Sequence, residues 1–318
     1  MSKRLEGRVA VITGAGSGIG HATSIRLASE GAHIVAVDTN EETGNEIAKE
    51  IGGIFVKADV TNAEHVEKMY KVAFDTYGRI DIAFNNAGIS PPDDDSILIT
   101  GIDAWERVLR VNTTSVYLCC KAVIPYMQKA GKGSIINTAS FVATMGAATS
   151  QIAYTASKGG VLSMSRELGV QFAREGIRVN ALSPGPVNTP LLMELFAKDP
   201  DRAARRLIHI PLGRFAEASE IVGAEDAAEL VELEWDVLDV ALSQEDSLTS
   251  TAVLHEDMGD NLAFDFTMTG GDPDDAFAKA DIIIEEEIRP GVLWKRNPNL
   301  EDVFLKLTGK SLSAGEAP

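Results

Sequence analysis

The sequence predicts an α/β protein with a doubly wound parallel β-sheet and an atypical acidic extension at its C-terminal end. In residues 1–183, short and nearly continuous apolar runs alternate with amphipathic segments of helical periodicity. Such runs are typical of parallel strands that are buried on both faces. Strands that alternate with helices form βαβ units with right-handed crossovers, and these build a doubly wound sheet.

The predicted elements follow in a regular order. The strands cover residues 9–13, 33–38, 54–58, 80–85, 134–139 and 178–182, and the helices between them cover about residues 19–30, 41–51, 62–77, 103–129 and 153–175. Thr61, Asn62 and Glu64 have the pattern of a helix cap before the third helix. The prolines of residues 184–190 predict a loop that continues into short helices up to residue 216, and a further helix begins at Glu217.

The pattern changes after residue 222. Residues 223–288 carry 20 acidic side chains and one basic side chain, whereas residues 1–222 carry 24 and 23, so one segment accounts for nearly all of the net charge of −18. This break predicts a domain of residues 1–222, an acidic extension of residues 223–288 and a loosely attached tail of residues 289–318. Within the extension we expect a helix over 224–230, strands over 231–240 and 281–288, and a turn at 270–273.

The composition also argues against several kinds of partner. The acidic segment disfavours nucleic acid, and its carboxylates lack the spacing of a calcium loop, so no metal site is predicted. No apolar run approaches the roughly 18 residues of a membrane helix, and the start of the chain has no apolar signal sequence. The adjacent Cys119 and Cys120 cannot pair without strain and are expected in the core, which favours the cytoplasm.

A glycine-rich turn follows the first strand and precedes the first helix. Gly14, Gly18 and Gly20 are spaced G-x-x-x-G-x-G, with Ser17 and Ile19 between them. Glycines let the backbone approach a pyrophosphate, and the free N–H groups of a helix N-terminus attract that anion. A glycine loop alone is also typical of a flexible turn, but its place between a strand and a helix favours a dinucleotide site.

Asp38 ends the second strand, 18 residues after Gly20. A carboxylate at this place accepts hydrogen bonds from ribose hydroxyls and repels a 2′-phosphate. Neither Ala15, Ser17 nor Thr39 is basic, so the sequence predicts NAD rather than NADP. Taken alone, Asp38 is also an ordinary turn residue at the end of a strand.

Tyr154 and Lys158 are four residues apart on a predicted helix, so their side chains meet on one face. The ammonium is expected to lower the pKa of the phenol from about 10, so that Tyr154 can take or give a proton while a hydride moves. Lys158 can also bind a ribose hydroxyl, and Ser140 can orient the substrate oxygen from the end of the fifth strand. Each residue alone has an ordinary structural explanation, as a surface pair or a turn serine.

These residues belong to a longer ordered set. The set comprises Thr13, Gly14, Gly18, Ile19, Gly20, Asp59, Asn85, Asn86, Ala87, Gly88, Asn112, Ser140, Tyr154, Lys158, Asn180, Pro184 and Gly185. With this order and spacing, residues 1–222 resemble the short-chain dehydrogenase/reductase family. The resemblance implies a Rossmann-like fold and hydride transfer between a nicotinamide cofactor and a secondary alcohol or ketone, with 3-oxoacyl and 3-hydroxyacyl compounds as one candidate class.

The resemblance also implies individual roles in binding the cofactor. Asp59 would contact the adenine amine, with Val60 beside it in the cofactor site. Asn86, Ala87 and Gly88 would form the floor of the cofactor cleft.

Further roles follow near the reacting groups. Asn112 would hold a water in a proton relay with Lys158. Residues 184–189, including Pro184 and Gly185, would border the nicotinamide. Thr189 and the backbone N–H of Val187 would lie near the carboxamide.

Residues 186–214 are predicted to form a substrate lid. Two interpretations, an apolar pocket and ordinary helix packing, carry equal weight for Leu191, Leu192, Met193, Leu195 and Phe196. Arg202, Arg205 and Arg206 would either contact a phosphate of an acyl carrier or coenzyme A, or form a solvated helix face, and the solvated face is favoured.

Beyond residue 222 the family pattern breaks, because the usual last strand, which completes the sheet and one subunit interface, is missing from the sequence. Residues 225–235, 255–261 and 274–281 instead resemble a molybdenum hydroxylase large subunit, and residues 299–309 resemble the C-terminal end of ABC-transporter ATPases. We infer a chimera in which neither fragment brings its own chemistry, since the chain has no phosphate-binding loop for ATP and the hydroxylase-like piece is short.

Three interpretations of the whole chain stay open at this point. It is an active NAD-dependent enzyme with a foreign C-terminus, a cofactor-binding but weakly active protein whose acidic segment is an interaction module, or a poorly folded fusion product. The expected partners are a small-molecule alcohol or ketone and a second copy of the chain. A dimer through helices 103–129 and 153–175 is favoured over a tetramer, because the last strand is missing.

Overall fold

Six parallel strands form the central sheet of the computed structural model, which describes residues 3–147, 149–198, 200–207, 210, 213–222, 253–255 and 263–265. The strands are β1 (Val9–Thr13), β2 (His33–Asp38), β3 (Ile54–Lys57), β4 (Ile82–Asn85), β5 (Gly133–Thr138) and β6 (Ile177–Leu182). Their order in the sheet is β3-β2-β1-β4-β5-β6. The winding direction reverses between β1 and β4, where Val11 pairs with Ala83, so the carboxyl ends of these strands border a crevice.

The described α-helices alternate with these strands and then continue beyond them. They are α1 (Gly18–Ser29), α2 (Glu41–Ile51), α3 (Ala63–Tyr77), α4 (Ile102–Leu109), α5 (Ser115–Ala130), α6 (Ile152–Phe172), α7 (Pro190–Lys198), α8 (Pro200–Leu207) and α9 (Ala218–Ile221). The predicted cap of α3 is confirmed, because the Asn62 side chain accepts hydrogen bonds from the N–H groups of Glu64 and His65 at 2.9 and 3.2 Å.

Helices cover both faces of the sheet. All of β1 is buried, with Val9 and Val11 in one hydrophobic cluster and Ala10 and Ile12 in the other, as the alternation of side chains along a strand requires. The first cluster includes residues of α3, α5 and α6, and the second includes residues of α1, α2 and α9. Burial on both faces explains why the parallel strands consist of continuous apolar runs.

Most of the predicted elements are confirmed, and each of the six strands agrees within two residues at either end. The helix predicted over 103–129 is instead two α-helices joined by a π-helical turn, Arg110–Thr114. Two short strands, β7 (Val187–Asn188) and β8 (Ala216–Glu217), pair in parallel within and just after the segment predicted as loop and short helices. Cys119 and Cys120 are buried in the core without a disulfide, as predicted.

Beyond residue 222 the structure describes one antiparallel pair, β9 (Val253–His255) and β10 (Ala263–Asp265). The helix predicted over 224–230, the strands over 231–240 and 281–288, the turn at 270–273 and nearly all of the hydroxylase-like and ATPase-like stretches lie outside the described residues. Among the helices that are described, none is both long and apolar enough to cross a membrane.

Candidate active site

A cavity of about 210 Å³ opens at the carboxyl ends of β1, β4, β5 and β6. Most residues predicted for the site line it, namely Gly14, Ser17, Gly18, Ile19, Asn86, Ala87, Gly88, Ser140, Tyr154, Lys158, Pro184, Gly185, Val187 and Thr189. These residues come from separate segments of the chain. The parallel sheet brings them together because all of its strands end at the same edge.

The glycine-rich turn presents backbone rather than side chains to this cavity. Gly14 has a φ of 66°, in the left-handed region that favours glycine. A Cβ on Gly20 would lie 2.2 Å from the carbonyl oxygen of Gly14, so α1 packs directly against the turn. Gly20 therefore acts through this close approach and does not line the cavity itself. The N-terminus of α1, which begins at Gly18, fits a pyrophosphate through its N–H groups and partial positive charge.

Thr13 connects the glycine-rich turn to the segment that follows β4 through hydrogen bonds. Its hydroxyl oxygen accepts hydrogen bonds from the N–H groups of Asn86 and Ala87 at 3.0 and 3.1 Å. The Asn86 side chain donates in return to the carbonyl oxygen of Thr13 at 3.2 Å. These contacts hold Asn86, Ala87 and Gly88 against the cavity, where the resemblance places the floor of the cleft.

Tyr154 and Lys158 lie one turn apart on α6, with the lysine Nζ 5.7 Å from the centre of the tyrosine ring. Lys158 is 3% exposed, and its ammonium donates a hydrogen bond to the carbonyl oxygen of Thr138 at the end of β5. Burial lowers the pKa of Lys158 to about 8. The lysine is therefore still largely protonated at neutral pH, but it holds its proton less tightly than a lysine in water.

The environment of the phenol differs from the prediction. Burial raises the pKa of Tyr154, while the hydrogen bond with the Ser140 hydroxyl and the positive charge of Arg206 act in the opposite direction. The prediction that Lys158 gives a net lowering of this pKa is therefore wrong. The desolvation of the phenol outweighs the charges around it.

Asn112 lies in the π-helical turn between α4 and α5. Its Oδ1 accepts from the N–H of Ile89 at 2.8 Å, and its Nδ2 donates to the Ile89 carbonyl at 2.9 Å and to the Ser157 hydroxyl at 3.1 Å. Asn112 does not line the cavity. A Cβ on Gly88 would, however, lie 3.3 Å from Asn112 Oδ1 and 3.6 Å from Lys158 Nζ, so both groups flank the same glycine.

Three other predicted residues lie outside the wall of the cavity. Asp38 Oδ2 accepts from the N–H of Gly16 at 2.9 Å, which places the carboxylate beside the glycine-rich turn at the end of β2. Asp59 accepts from both the N–H and the hydroxyl of Thr61. Val60, which follows it, is buried.

Each of the two interpretations of the apolar lid residues holds for some of them, because some line the cavity and others pack as ordinary helix residues. Leu191 and Leu192 line the cavity. Phe196 is buried and stacks on Phe215 with ring centres 5.1 Å apart, and Met193 is half exposed. The side chains of Leu195 and Arg202 lie outside the described part of the chain.

The favoured interpretation of the lid arginines is wrong for Arg206. Arg205 is exposed, but Arg206 is half-buried and lines the cavity. Its Nε donates to the Thr149 hydroxyl at 3.0 Å and its Nη2 donates to Gln151 Oε1 at 2.6 Å. The two acceptors precede α6, so these hydrogen bonds connect α8 to the start of the helix that carries Tyr154.

Several residues around the site were not predicted from the sequence. Ser90, Thr138, Ala139, Phe141 and Gln151 line the cavity, as do Pro186 and Pro190, which lie in the segments predicted to border the nicotinamide and to form the lid. Asp94, which precedes α4, is 1% exposed, and its carboxylate accepts from the N–H groups of Ala153 and Tyr154 at 2.9 and 2.8 Å. Asp94 is one of three consecutive aspartates in the sequence, and nothing in that run distinguishes it from Asp93 or Asp95.

Comparison with known proteins identifies the fold and the family. The family model for short chain dehydrogenases matches residues 8–200. The 3-oxoacyl-[acyl-carrier-protein] reductase FabG of Thermotoga maritima is 39% identical over 224 residues, which are 69% of this chain and 88% of that protein.

Two solved structures share this architecture. The crystal structure of levodione reductase gives a TM-score of 0.68 at 31% identity and covers 74% of this chain and 95% of that chain. The 3-ketoacyl-(acyl-carrier-protein) reductase of Brucella melitensis, complexed with NADH, gives a TM-score of 0.67 at 33% identity and covers 74% and 98%. The chain therefore belongs to the short-chain dehydrogenase/reductase family of nicotinamide-dependent oxidoreductases.

Proposed function

We propose that this protein transfers a hydride between NAD(H) and a secondary alcohol or ketone. The observation that carries the proposal is the convergence of the Tyr154 phenol, the Ser140 hydroxyl and the Lys158 ammonium on one cavity beside the glycine-rich turn. The Thermotoga maritima relative is named as a 3-oxoacyl-carrier-protein reductase, which supports 3-oxoacyl and 3-hydroxyacyl compounds as a candidate class.

The residues around the cavity fit a nicotinamide cofactor. The backbone of residues 14–19 and the N-terminus of α1 would hold the pyrophosphate. Asp59 and Val60 would lie at the adenine, and residues 184–189 at the nicotinamide. When bound, the cofactor supplies or accepts the hydride.

The Tyr154 hydroxyl would move the proton. In oxidation, the phenolate takes the hydroxyl proton of the alcohol, and in reduction the phenol returns it to the ketone oxygen. The Ser140 hydroxyl would orient that oxygen, and Lys158 would bind ribose and favour the phenolate when Tyr154 ionises. Because burial raises the pKa of Tyr154, neutral pH favours the proton-donating form and hence ketone reduction. Alkaline pH favours alcohol oxidation.

The preference for NAD rests on Asp38. Its carboxylate lies beside the glycine-rich turn and accepts from the N–H of Gly16. A carboxylate there accepts hydrogen bonds from the ribose hydroxyls and repels a 2′-phosphate.

Asn112 would act further from the substrate, where its side chain would hold a water of a proton relay next to Lys158.

Replacement of Tyr154 by Phe tests the proposal. Initial rates would be measured with NAD and with NADP across a panel of secondary alcohols and 3-hydroxyacyl thioesters. We expect NAD to be preferred and Tyr154→Phe to lower kcat by about 10²–10⁴-fold, the usual contribution of a general acid or base. Tyr117→Phe is the matched control, because Tyr117 lies half exposed on α5 away from the cavity.

Cofactor binding is followed separately through the rise in melting temperature that NAD causes. Tyr154→Phe should keep this rise, because the phenol is not needed to hold the cofactor. A rise in melting temperature without turnover of any compound in the panel would contradict the proposal and favour a cofactor-binding protein of another function.

A further inference from the structure

Gln151 is a buried amide side chain in the wall of the candidate site. It is 7% exposed, precedes Tyr154 by three residues and lines the same cavity as Tyr154 and Ser140. It occupies the N-terminal cap position of α6, but its side chain makes no capping hydrogen bond there. Asp94 accepts from the N–H groups of Ala153 and Tyr154 instead. The role of a helix cap therefore does not explain the Gln151 side chain.

The contact with Arg206 determines how the amide of Gln151 is oriented. A guanidinium carries only N–H donors, so the Gln151 atom that lies 2.6 Å from Arg206 Nη2 is the acceptor Oε1. The amide nitrogen Nε2 is the other branch of the planar group and carries two N–H donors. The contacts described for Gln151 join it to Arg206 and to the N–H of Thr155, which donates to the Gln151 backbone carbonyl, and Nε2 takes part in neither.

The Nε2 group of Gln151 reaches open space. It is not among the buried polar atoms without a partner in the described part of the chain, so it keeps some accessible surface, and the open space that Gln151 borders is the cavity. A ligand that enters the cavity excludes water, and an N–H group left without an acceptor then opposes binding. The wall at Gln151 therefore selects a ligand with an acceptor atom at this place.

The acceptor that fits this donor is a second oxygen of the substrate. The reacting oxygen is the one that Ser140 and Tyr154 would bind in the proposed reaction. A neutral carbonyl oxygen fits Gln151 better than a carboxylate, because a neutral amide has no charge to offset the lost hydration of a carboxylate. The cavity of about 210 Å³, with the apolar Leu191 and Leu192 in its wall, fits a short chain between the two oxygens.

We propose that the Gln151 amide donates a hydrogen bond to a second carbonyl oxygen of the substrate, so that this site acts on short dicarbonyl compounds and the corresponding hydroxy carbonyl compounds. This inference rests on the proposed function. In the reduction, the carbon of one C=O bond gains a hydride from NADH, its oxygen gains the proton of Tyr154, and the second carbonyl group is unchanged. Gln151 is then a specificity-determining residue, because it contacts the substrate away from the reacting atoms.

The test compares oxo esters with simple ketones of equal chain length. Initial rates with NADH would be measured for methyl 2-oxopropanoate, methyl 3-oxobutanoate and methyl 4-oxopentanoate against 2-pentanone, 2-hexanone and 2-heptanone. The ratio of kcat/KM for each ester to that for its matched ketone is compared between variants, so that the intrinsic reactivity of the compounds cancels. We expect Gln151→Glu to lower this ratio by about tenfold to hundredfold for at least one pair, because a carboxylate kept ionised by Arg206 turns an acceptor toward the carbonyl oxygen.

Two further variants separate the donor from the contact with α8. Gln151→Glu keeps an acceptor for Arg206, whereas Gln151→Met removes both the acceptor and the donor, and it should also lower the ratio, by about two- to tenfold, the usual effect of losing one hydrogen bond. Gln171→Glu adds the same charge at an exposed position near the end of α6 and should leave the ratio unchanged. A loss in Gln151→Met that is absent from Gln151→Glu would overturn the inference, since only the contact with Arg206 would then matter. An equal loss in Gln171→Glu would also overturn it, since it would indicate a general effect of charge.

Calorimetric titration of the esters and ketones into the NADH-saturated Tyr154→Phe variant gives a readout that needs no turnover. Tighter binding of an ester than of its matched ketone, lost on adding Gln151→Glu, supports the inference even if no ketone is reduced, in which case only the proposed function fails. Equal binding of every ester and its matched ketone, or no binding of either, overturns the inference. Reduction of the simple ketones would in that case leave the proposed function standing.

Discussion

At the scale of single residues, Lys158 shows the free-energy cost of burying a cation in the candidate site. Its pKa is lowered to about 8 by burial, whereas a lysine in an unfolded chain titrates near about 10.4. The unfolded chain therefore holds the proton more tightly, and folding is opposed by the buried charge. This cost is present in full below about pH 8 and disappears as the pH rises to about 10.4.

Replacing Lys158 by Met is expected to stabilise the protein while abolishing turnover. The pKa difference corresponds to roughly 3 kcal/mol at neutral pH, and the lost hydrogen bond to Thr138 offsets about 1 kcal/mol of it. The melting temperature without cofactor should rise by a few degrees at pH 7, and the gain should shrink at pH 10. Lys68→Met, at an exposed position of α3, is the control. A gain that does not vary with pH would contradict the assignment to a buried charge.

At the scale of elements, the start of α6 is capped from another part of the chain. Gln151, at the N-terminal cap position, makes no capping hydrogen bond, and its side chain binds Arg206 instead. Asp94 supplies the missing acceptors to the N–H groups of Ala153 and Tyr154. A carboxylate at a helix N-terminus also interacts favourably with the helix dipole. Asp94 therefore positions the first turn of the helix that carries Tyr154.

Asp94→Ala is expected to destabilise the fold by about 1–2 kcal/mol, the usual effect of losing a cap, and to lower kcat more than it raises the KM for NAD. The difference between the effect on kcat and the effect on KM is the informative measurement, because loss of stability alone would not displace the phenol relative to its substrate. Asp93→Ala is the matched control, since Asp93 is exposed and pairs with Arg107, where an ion pair contributes about 0–1 kcal/mol. Equal kinetics for the two variants would indicate that Asp94 does not position Tyr154.

The contacts that form each element explain which elements could be predicted from the sequence. The six strands are visible because burial on both faces imposes a continuous apolar run. The π-helical turn at Arg110–Thr114 is not, because it depends on where Asn112 finds its partners, Ile89 and Ser157, which are 23 and 45 residues away. The half-buried position of Arg206 was not predicted for a similar reason, because the local sequence of α8 does not show that this side chain reaches Thr149 and Gln151, which are 57 and 55 residues away.

At the scale of the whole molecule, most of the residues that line the cavity could be named from the sequence because they belong to short local motifs at strand ends and on α6. Each motif is short, and the sheet alone brings the segments together, since parallel strands share one carboxyl edge. The direction of the pKa shift of Tyr154 could not be predicted from spacing, because the extent of burial depends on every segment around the cavity. A local pattern can thus identify a candidate reacting group, while the ionisation of that group depends on the assembled fold.

The two described hydrophobic clusters and the candidate site all lie within residues 1–222. The two hydrophobic clusters use residues from Leu5 to Val222, and the cavity uses residues from Gly14 to Arg206. We propose that residues 1–222 are the catalytic domain and expect a chain ending at Val222 to bind NAD as the full chain does. At a hundredfold excess over Kd, NAD should stabilise either form by about 2.7 kcal/mol.

That stabilisation corresponds to a rise of roughly 5–10 °C in the melting temperature for a domain of about this size, and differential scanning calorimetry measures it directly. Asp38→Ala in both forms is the control, because it should reduce the rise equally if the cofactor contacts are the same. A rise in the full chain that is absent from the truncated one would contradict the prediction and show that residues beyond 222 support the site. Since β6 forms one edge of the described sheet, scans at several protein concentrations would separate this outcome from edge-to-edge aggregation of the truncated chain.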